Sequence, residues 1–126
     1  MKYRILNRNK DFVRLYNKGK YVSGRICAVY FRKNPKNRAD GEKFNRIGIS
    51  TGKKIGNAVR RSRARRVIRA ALRGCELPAG HDIVIAARQG AAECKSYECA
   101  SFFRKKLIPA MNGQDNRSAD RKDRQA

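Results

Sequence analysis

The chain has 126 residues and a formal net charge of +22 at pH 7, with 32 Lys and Arg against 10 Asp and Glu. This length suits one domain with a single core and excludes a large enzyme cleft with a scaffold of its own. Because the charge far exceeds what solubility requires, and no apolar run approaches the roughly 20 residues of a membrane span, we expect a nucleic acid as the partner and no membrane.

The first predicted element is a short helix. Asn9 or Asp11 can cap its start, and Gly19 stands where a helix commonly ends. Its apolar residues recur at the i, i+3 and i+4 spacing of one helix face. These residues are Phe12, Leu15 and Tyr16.

Two or three antiparallel strands are predicted next, because β-branched and aromatic residues cluster in runs that turn sequences separate. The runs are residues 21–22, 26–31 and 44–51. Residues 34–37 and 40–41 supply the turn chemistry before the last run.

Residues 53–73 combine a strong positive charge with the apolar spacing of a helix. They hold nine Lys or Arg and no acid, and no Asp or Glu occurs anywhere from Lys43 to Cys75. Asn57 is placed to cap the helix and Gly74 to end it, which gives about five turns. On a helical wheel, Ala64, Val67, Ile68, Ala71 and Leu72 lie on one side, and Ser62, Arg65, Arg66, Arg69 and Arg73 lie on the other.

The two sides of this helix predict two roles: the apolar side anchors the helix to the protein core, and the basic side binds a partner. Like charges at i and i+4 mildly destabilise an isolated helix, and an uncompensated row of them suits the neutralisation of phosphates. A merely solvated face is the alternative, but such a face usually mixes charges of both signs. We therefore interpret the basic side as a nucleic-acid contact.

After the basic helix we expect a buried strand and a last helix. Residues 82–87 form a continuous apolar run, which is typical of a strand buried on both faces at the centre of a sheet. Residues 92–108 carry apolar side chains in helical rhythm, and Pro109 is expected to close that helix. Residues 112–126 have no large apolar side chain and alternate Asp with Lys or Arg, so we expect a disordered polar tail. The predicted fold class is α+β, with one domain over residues 1–111 in the order αβββαβα.

The sequence lacks the residues that catalysis by side chains would need. The sequence shows no nucleophile with a base, no paired carboxylates and no phosphate-binding G-x-x-x-x-G-K-[ST] loop. The cysteines form no C-x-x-C pair and the single His81, expected in a loop, completes no zinc pattern, so we predict free thiols and no metal site. A disulfide stays open on count alone, although the absence of a signal peptide predicts a cytoplasmic protein. The cysteines are Cys27, Cys75, Cys94 and Cys99.

Three aromatic residues suggest a second contact with RNA. Single-stranded RNA is held by the stacking of its bases on aromatic rings beside basic groups. Phe12 and Tyr16 share one helix face, and Tyr30 lies in a predicted strand. Each ring also suits an ordinary core, and a partly open cleft would satisfy both interpretations.

The basic segment is similar to the signature of the bacterial ribonuclease P protein subunit. The matching pattern is Lys53-Lys54-Ile55-Gly56-Asn57-Ala58-Val59-x-Arg61-Ser62-Arg63-x-Arg65-Arg66-x-x-Arg69. The start of the first helix, residues 48–50 and the strand at 83–87 extend the resemblance over most of the chain. Ser62 departs from the Asn that is usual in the family, and it keeps a hydroxyl but loses the reach of an amide.

The resemblance implies a fold and an activity. The fold is a sandwich of about four strands and three helices, with a left-handed crossover from the third strand through the basic helix to a parallel fourth strand. The activity is that of a ribonucleoprotein, one protein with one catalytic RNA, which removes the 5′ leader of precursor tRNA by endonucleolytic hydrolysis. The resemblance assigns catalysis to the RNA with Mg²⁺, and it assigns no catalytic residue, metal ligand or bound cofactor to the protein.

The resemblance also implies two sets of binding residues. The residues expected to contact the catalytic RNA are Lys53, Lys54, Asn57, Arg60, Arg61, Ser62, Arg63, Arg65, Arg66, Arg69 and Arg73. The residues expected to line a cleft for the single-stranded leader are Phe12, Tyr16, Tyr30, Ser50 and Lys54. A structural protein of ribosomal RNA is the alternative, since it would share the charge, size and fold class but would need no aromatic cleft.

Overall fold

The computed structural model describes residues 2–113, and this part of the chain contains seven strands. They are β1 (Arg4–Ile5), β2 (Lys20–Ser23), β3 (Cys27–Lys33), β4 (Arg38–Ala39), β5 (Glu42–Lys43), β6 (Arg46–Ser50) and β7 (His81–Ala87). Five strands form one sheet in the order β1-β6-β7-β3-β2, while β4 and β5 form a separate hairpin. In the large sheet, β6 is parallel to β1 and β7, and β3 is antiparallel to β7 and β2.

The helical elements lie on both faces of this sheet. They are α1 (Asn9–Lys18), α2 (Ala58–Arg73), α3 (Ser96–Phe102) and α4 (Ile108–Met111), with a π-helical segment (Phe103–Leu107) that joins α3 to α4. Short 3-10 turns occur at Lys53–Ile55 and Gln89–Ala92. Within residues 2–113, no helix combines the length and the apolar character needed to cross a membrane.

Strand register assigns alternate residues to the two faces of the sheet. Val29 and Ile85, which pair across β3 and β7, point into the main core with α2 and α3. Tyr30 and Val84 also pair across these strands and point to the opposite face. α1 covers part of that face by packing Leu15 on Val84.

The α+β fold class is confirmed, and so is the central position of the strand at β7. Ile83, Val84 and Ile85 are fully buried, as expected for a strand covered on both faces. The strand count and order differ, because β1 precedes α1 and makes the sheet five-stranded. β1 is only two exposed residues held by pairing with β6, so it has no alternating pattern of its own. β6, α2 and β7 form the expected parallel crossover, and its left hand stays a prediction.

The ends of α1 differ from the expectation. Arg8 occupies the N-cap position with no side-chain cap, so neither Asn9 nor Asp11 caps the helix. Gly19 does end it, but with an extended backbone at φ −78°. The glycine is needed for space, because a Cβ there would lie 2.6 Å from the Leu15 carbonyl oxygen.

Two predictions in the C-terminal half are wrong. Pro109 does not close the last helix, which continues to Met111. The π-helical segment before it changes the hydrogen-bond pattern, so a residue without an N–H fits at the start of the next turn. His81 is the first, buried residue of β7 rather than a loop residue, and its backbone N–H donates to Asn45 Oδ1 at 2.9 Å.

All four cysteines are buried free thiols in this structure. No group of three His, Cys, Asp or Glu side chains that could hold a metal ion occurs in the described part of the chain. The predicted tail falls, from residue 114 onward, outside the described residues.

Candidate RNA-binding surface

α2 separates an apolar anchoring stripe from a basic outer face. Asn57 caps the helix, since its Oδ1 accepts a hydrogen bond from the backbone N–H of Arg60 at 3.0 Å. Gly74 follows the last turn. The buried stripe consists of Ala64, Val67, Ile68, Ala71 and Leu72, which are the residues that the helical spacing predicts.

The outward residues of α2 carry positive charge that no acid on the helix balances. Arg66, Arg69 and Arg73 are exposed and Arg61 is half-buried. None of these four side chains forms a hydrogen bond or an ion pair with another described residue, and Ser62 is exposed beside Arg61. Guanidinium groups in this state can bind phosphates and displace their counterions.

Two further arginines of the predicted set are held by the protein itself. Arg60 donates through Nε to the Ile55 carbonyl at 2.9 Å and forms an ion pair with Glu93 at 3.2 Å. Arg63 donates through Nε to the Ala92 carbonyl at 2.8 Å. These contacts stabilise α2 on its neighbours, so these two side chains have a structural role in the free protein.

Arg65 is half-buried, although the helical wheel assigns it to the solvent side. Its guanidinium donates to Thr51 Oγ1 at the end of β6. A long side chain can lie along an apolar surface and keep its charged end at a polar edge, which a wheel of helix positions does not represent.

The approach to α2 presents two free lysine side chains. Lys53 and Lys54 are exposed on the 3-10 turn that joins β6 to the helix. Gln89 Nε2 donates to the Lys54 carbonyl at 2.9 Å and fixes the backbone of this turn.

The three predicted aromatic rings lie on the half-covered face of the sheet. The Tyr16 ring meets Tyr30 edge-on, with centroids 4.8 Å apart, and Tyr30 stacks on Tyr21 at 5.3 Å. Phe12, Tyr16 and Tyr30 pack against a small core that includes Leu15, yet each stays half-exposed. The rings therefore serve as core on one side and remain accessible on the other.

Gly48 makes room for the Phe12 ring on the sheet. A Cβ at this position would lie 2.6 Å from Phe12 Cζ and 2.5 Å from the Leu6 carbonyl oxygen. The absence of a side chain therefore sets how closely α1 approaches β6.

Ser50 and Lys54 lie where the parallel strands β6 and β7 end. With Ala86 they line an open cavity of about 850 Å³. Its lining also includes the acid Glu93 and three basic or polar residues that the sequence did not indicate, namely Arg25, Arg88 and Gln89. Arg25, Arg88 and Gln89 come from connections and a short 3-10 turn without a local sequence pattern, whereas Tyr21 could be found from the hairpin register, in which it pairs with Tyr30.

The basic helix and the aromatic face meet at the β6 edge of the sheet. Arg69 lines a cavity of about 250 Å³ together with Phe12 and Gly48. Arg65 reaches Thr51, which directly follows Ser50. The two predicted sets of residues are therefore parts of one continuous surface.

A polar network holds the far end of this face. Arg46 donates through Nε and NH2 to the two carboxylate oxygens of Asp82 at 2.8 and 2.7 Å, and it lies 3.7 Å from Asp11 on α1. Burial alone would raise the pKa of the Asp82 carboxyl, but the hydrogen bonds from Arg46, Asn37 and Asn34 lower it below the ordinary value. The bidentate pair joins β6 to β7, and the Arg46–Asp11 ion pair ties α1 to the sheet.

The chain matches known proteins along most of its length. The family model described as Ribonuclease P matches residues 1–110. The ribonuclease P protein component of Clostridium perfringens is 40% identical over 114 residues, which cover 88% of this chain and 90% of that protein. The component of Macrococcus caseolyticus is 41% identical over 97 residues, which cover 76% of this chain and 79% of that protein.

Solved structures show the same fold. The RNase P protein of Staphylococcus aureus superposes with a TM-score of 0.69 at 32% identity, covering 86% of this chain and 96% of that one. The RNase P protein of Thermotoga maritima gives a TM-score of 0.67 at 27% identity, covering 85% and 96%. The family model matches almost the whole described domain, and the fold is shared with solved RNase P proteins. The capped basic helix beside an aromatic sheet face agrees with both findings. The chain therefore belongs to the ribonuclease P protein family.

Proposed function

We propose that the chain binds the catalytic RNA of ribonuclease P through α2 and the 5′ leader of precursor tRNA through the aromatic face. The main support is the continuous surface around the β6 edge, which joins unpaired arginines to half-exposed rings. The protein acts as one subunit with one RNA in the cytoplasm.

The outer face of α2 supplies the contact with the folded RNA. Four arginine side chains on this face have no partner among the described residues, so they break no hydrogen bond or ion pair within the protein when they bind phosphates. They are Arg61, Arg66, Arg69 and Arg73. Ser62 can donate or accept one hydrogen bond between them.

The aromatic face supplies the contact with an unpaired strand. A base can stack on the exposed side of Tyr30 or Phe12, while Ser50 and Lys54 lie at the open end of the face and can bind the backbone of the strand. Leader binding positions the scissile phosphodiester, and the RNA with its Mg²⁺ performs the hydrolysis that yields the mature 5′ end.

A structural protein of ribosomal RNA is the alternative function. It would use the same basic helix, but it gives no reason for a group of half-exposed rings on the half-covered face of the sheet. Cleavage and leader dependence therefore separate the two functions.

The first experiment adds the purified protein to a transcript of a bacterial ribonuclease P RNA at low Mg²⁺. We expect the mixture to cleave precursor tRNA at the leader junction and the protein alone to cleave nothing. A protein that leaves RNA-only cleavage unchanged would contradict the proposal.

The second experiment compares Tyr30→Ala with wild type in the reconstituted enzyme, at a temperature where both are folded. Loss of a stacked base costs about 1 to 3 kcal/mol, so binding of precursor tRNA should weaken about 5- to 150-fold. Binding of mature tRNA should not change. Val13→Ala is the control, since Val13 is exposed on α1 away from the core. If the ratio of precursor tRNA affinity to mature tRNA affinity is the same in Tyr30→Ala and wild type, the leader does not bind to the aromatic face.

A further inference from the structure

The described residues expose four large hydrophobic side chains, Ile5, Val13, Val59 and Tyr97, and two of them border the seam between α2 and α3. Val59 is 74% exposed in the first turn of α2, and Tyr97 is 70% exposed in the first turn of α3. Tyr97 is the one aromatic ring among the four, and it makes no ring contact with a described residue. Single exposed hydrophobic side chains are common on protein surfaces, so the exposure of Tyr97 shows that its ring is available for stacking and does not by itself identify a partner.

Contacts at both ends place α3 beside α2 with the same chain direction. Near the start of α2, Arg63 donates to the carbonyls of Ala92 and Cys94, at 2.8 and 3.4 Å. Just after the end of α2, the Arg104 guanidinium lies 3.9 Å from Cys75 Sγ. Tyr97 lies between these two contacts along the chain.

Both helices at this seam carry basic residues. Val59, Arg63 and Arg66 follow one another at i, i+4 and i+7 on α2, while Tyr97 and Arg104 are seven residues apart on the neighbouring helix. We call the five residues Val59, Arg63, Arg66, Tyr97 and Arg104 the α2–α3 surface.

Two of the acids near this surface, Glu93 and Glu98, already have partners in the protein. Glu93 forms ion pairs with Arg60 at 3.2 Å and Arg25 at 3.9 Å. Glu98 accepts a hydrogen bond from the backbone N–H of Lys95 at 3.0 Å. Neither of these two carboxylates forms an ion pair with a residue of the α2–α3 surface.

We infer that the α2–α3 surface is a second site for the catalytic RNA, at which an unpaired nucleotide stacks its base on Tyr97 and places its phosphate near Arg66 and Arg104. The inference rests on the proposed function, because it takes the basic face of α2 as the contact with that RNA. It extends the contact to α3, on the side of α2 opposite Arg65 and the β6 edge. An exposed ring on a surface with several arginines suits a base with its phosphate, whereas a protein partner would have to balance the charge with acids.

The test uses the lack of tryptophan in the chain. Tyr97→Trp keeps a ring for stacking and places the sole indole at the site, and Val13→Trp is the matched control on α1. With a ribonuclease P RNA transcript, the fluorescence of the Tyr97→Trp protein should be quenched, and that of the Val13→Trp protein should not change. Mature tRNA alone should quench neither.

Affinity for the same transcript gives the second measurement. Tyr97→Ala should weaken binding about 5- to 150-fold, and Tyr97→Phe should bind like wild type. Because Tyr97 is exposed, thermal unfolding of all variants should match wild type. Wild-type affinity of folded Tyr97→Ala, or an unquenched indole, would overturn the inference.

Comparing these variants also distinguishes a failure of this inference from a failure of the proposed function. If Tyr97→Ala binds normally while Arg66→Ala with Arg69→Ala weakens binding, the second site is wrong and the contact through α2 stands. If neither set affects binding and the protein does not support cleavage, the proposed function itself is wrong.

Discussion

Replacement of Gly48 by alanine tests whether the spacing between α1 and the sheet produces the aromatic face. The new Cβ would lie 2.5 Å from the Leu6 carbonyl oxygen and 2.6 Å from Phe12 Cζ. Leu6 cannot move freely, because its N–H donates to the Ile47 carbonyl at 3.0 Å. Overpacking costs about 1 to 3 kcal/mol, and a clash with fixed backbone belongs at the upper end. Since alanine in a strand offsets part of this cost, we expect a net loss of about 2 kcal/mol.

Gly52→Ala is the matched control. Gly52 lies four residues later with φ −87°, and a Cβ there meets no atom within 4 Å. Its effect on stability should stay within about 1 kcal/mol. Urea unfolding of both variants gives the free energies of unfolding, and the ratio of precursor to mature tRNA affinity reports the aromatic face. We expect Gly48→Ala to lower both values. Equal stability of the two variants would refute the steric argument, and an unchanged affinity ratio would show that the Phe12 position does not affect the leader.

The remaining predictions concern the core, the polar network and the charge. Ile68→Ala should cost about 2 to 4 kcal/mol of stability in urea unfolding, because Ile68 is fully buried, whereas Arg66→Ala should cost less than about 0.5 kcal/mol. The lowered pKa of Asp82 contributes stability that is fully present above the ordinary carboxyl pKa of about 3.9 and is lost as the pH falls through the lower folded-state value. Asp82→Asn should therefore be less stable than wild type near neutral pH, and the difference in free energy of unfolding should shrink as the pH falls below the ordinary carboxyl pKa. Binding to a ribonuclease P RNA transcript should weaken linearly with salt on logarithmic axes, and Arg66→Ala with Arg69→Ala should reduce that slope by about two; a slope that the double variant leaves unchanged would exclude these side chains as phosphate contacts.

The sequence predicts α2 well because one periodicity determines both of its faces. Ala64 and Leu72 are buried and Arg66 is exposed, as the spacing requires. The partner of Arg65 could not be predicted, since Thr51 lies 14 residues away and only the packing of α2 beside β6 brings the two together. For the same reason β1, which exists through its pairing with β6, gives no local signal.

The aromatic face was predictable in its residues but not in its construction. Phe12, Tyr16 and Tyr30 are on one face of the molecule as expected, while the stacking of Tyr21 depends on the register of β2 with β3. The continuation of the last helix through Pro109 depends on a π-helical segment, which has no simple sequence pattern.

The position of β7 between β6 and β3 determines when this surface can form during synthesis. β6 and β3 are both made before β7, but neither pairs with the other, because β7 separates them in the sheet. A nascent chain that has not yet exposed residues 81–87 to solvent can form the β2–β3 hairpin but cannot join it to β6. The row of residues from Gly48 through Val84 to Tyr30 crosses both halves of the sheet, so the aromatic face is completed only when β7 leaves the ribosome. α2 precedes β7 in the chain, so on the growing polypeptide the capacity to attract RNA by charge arises before the capacity to recognise an unpaired strand.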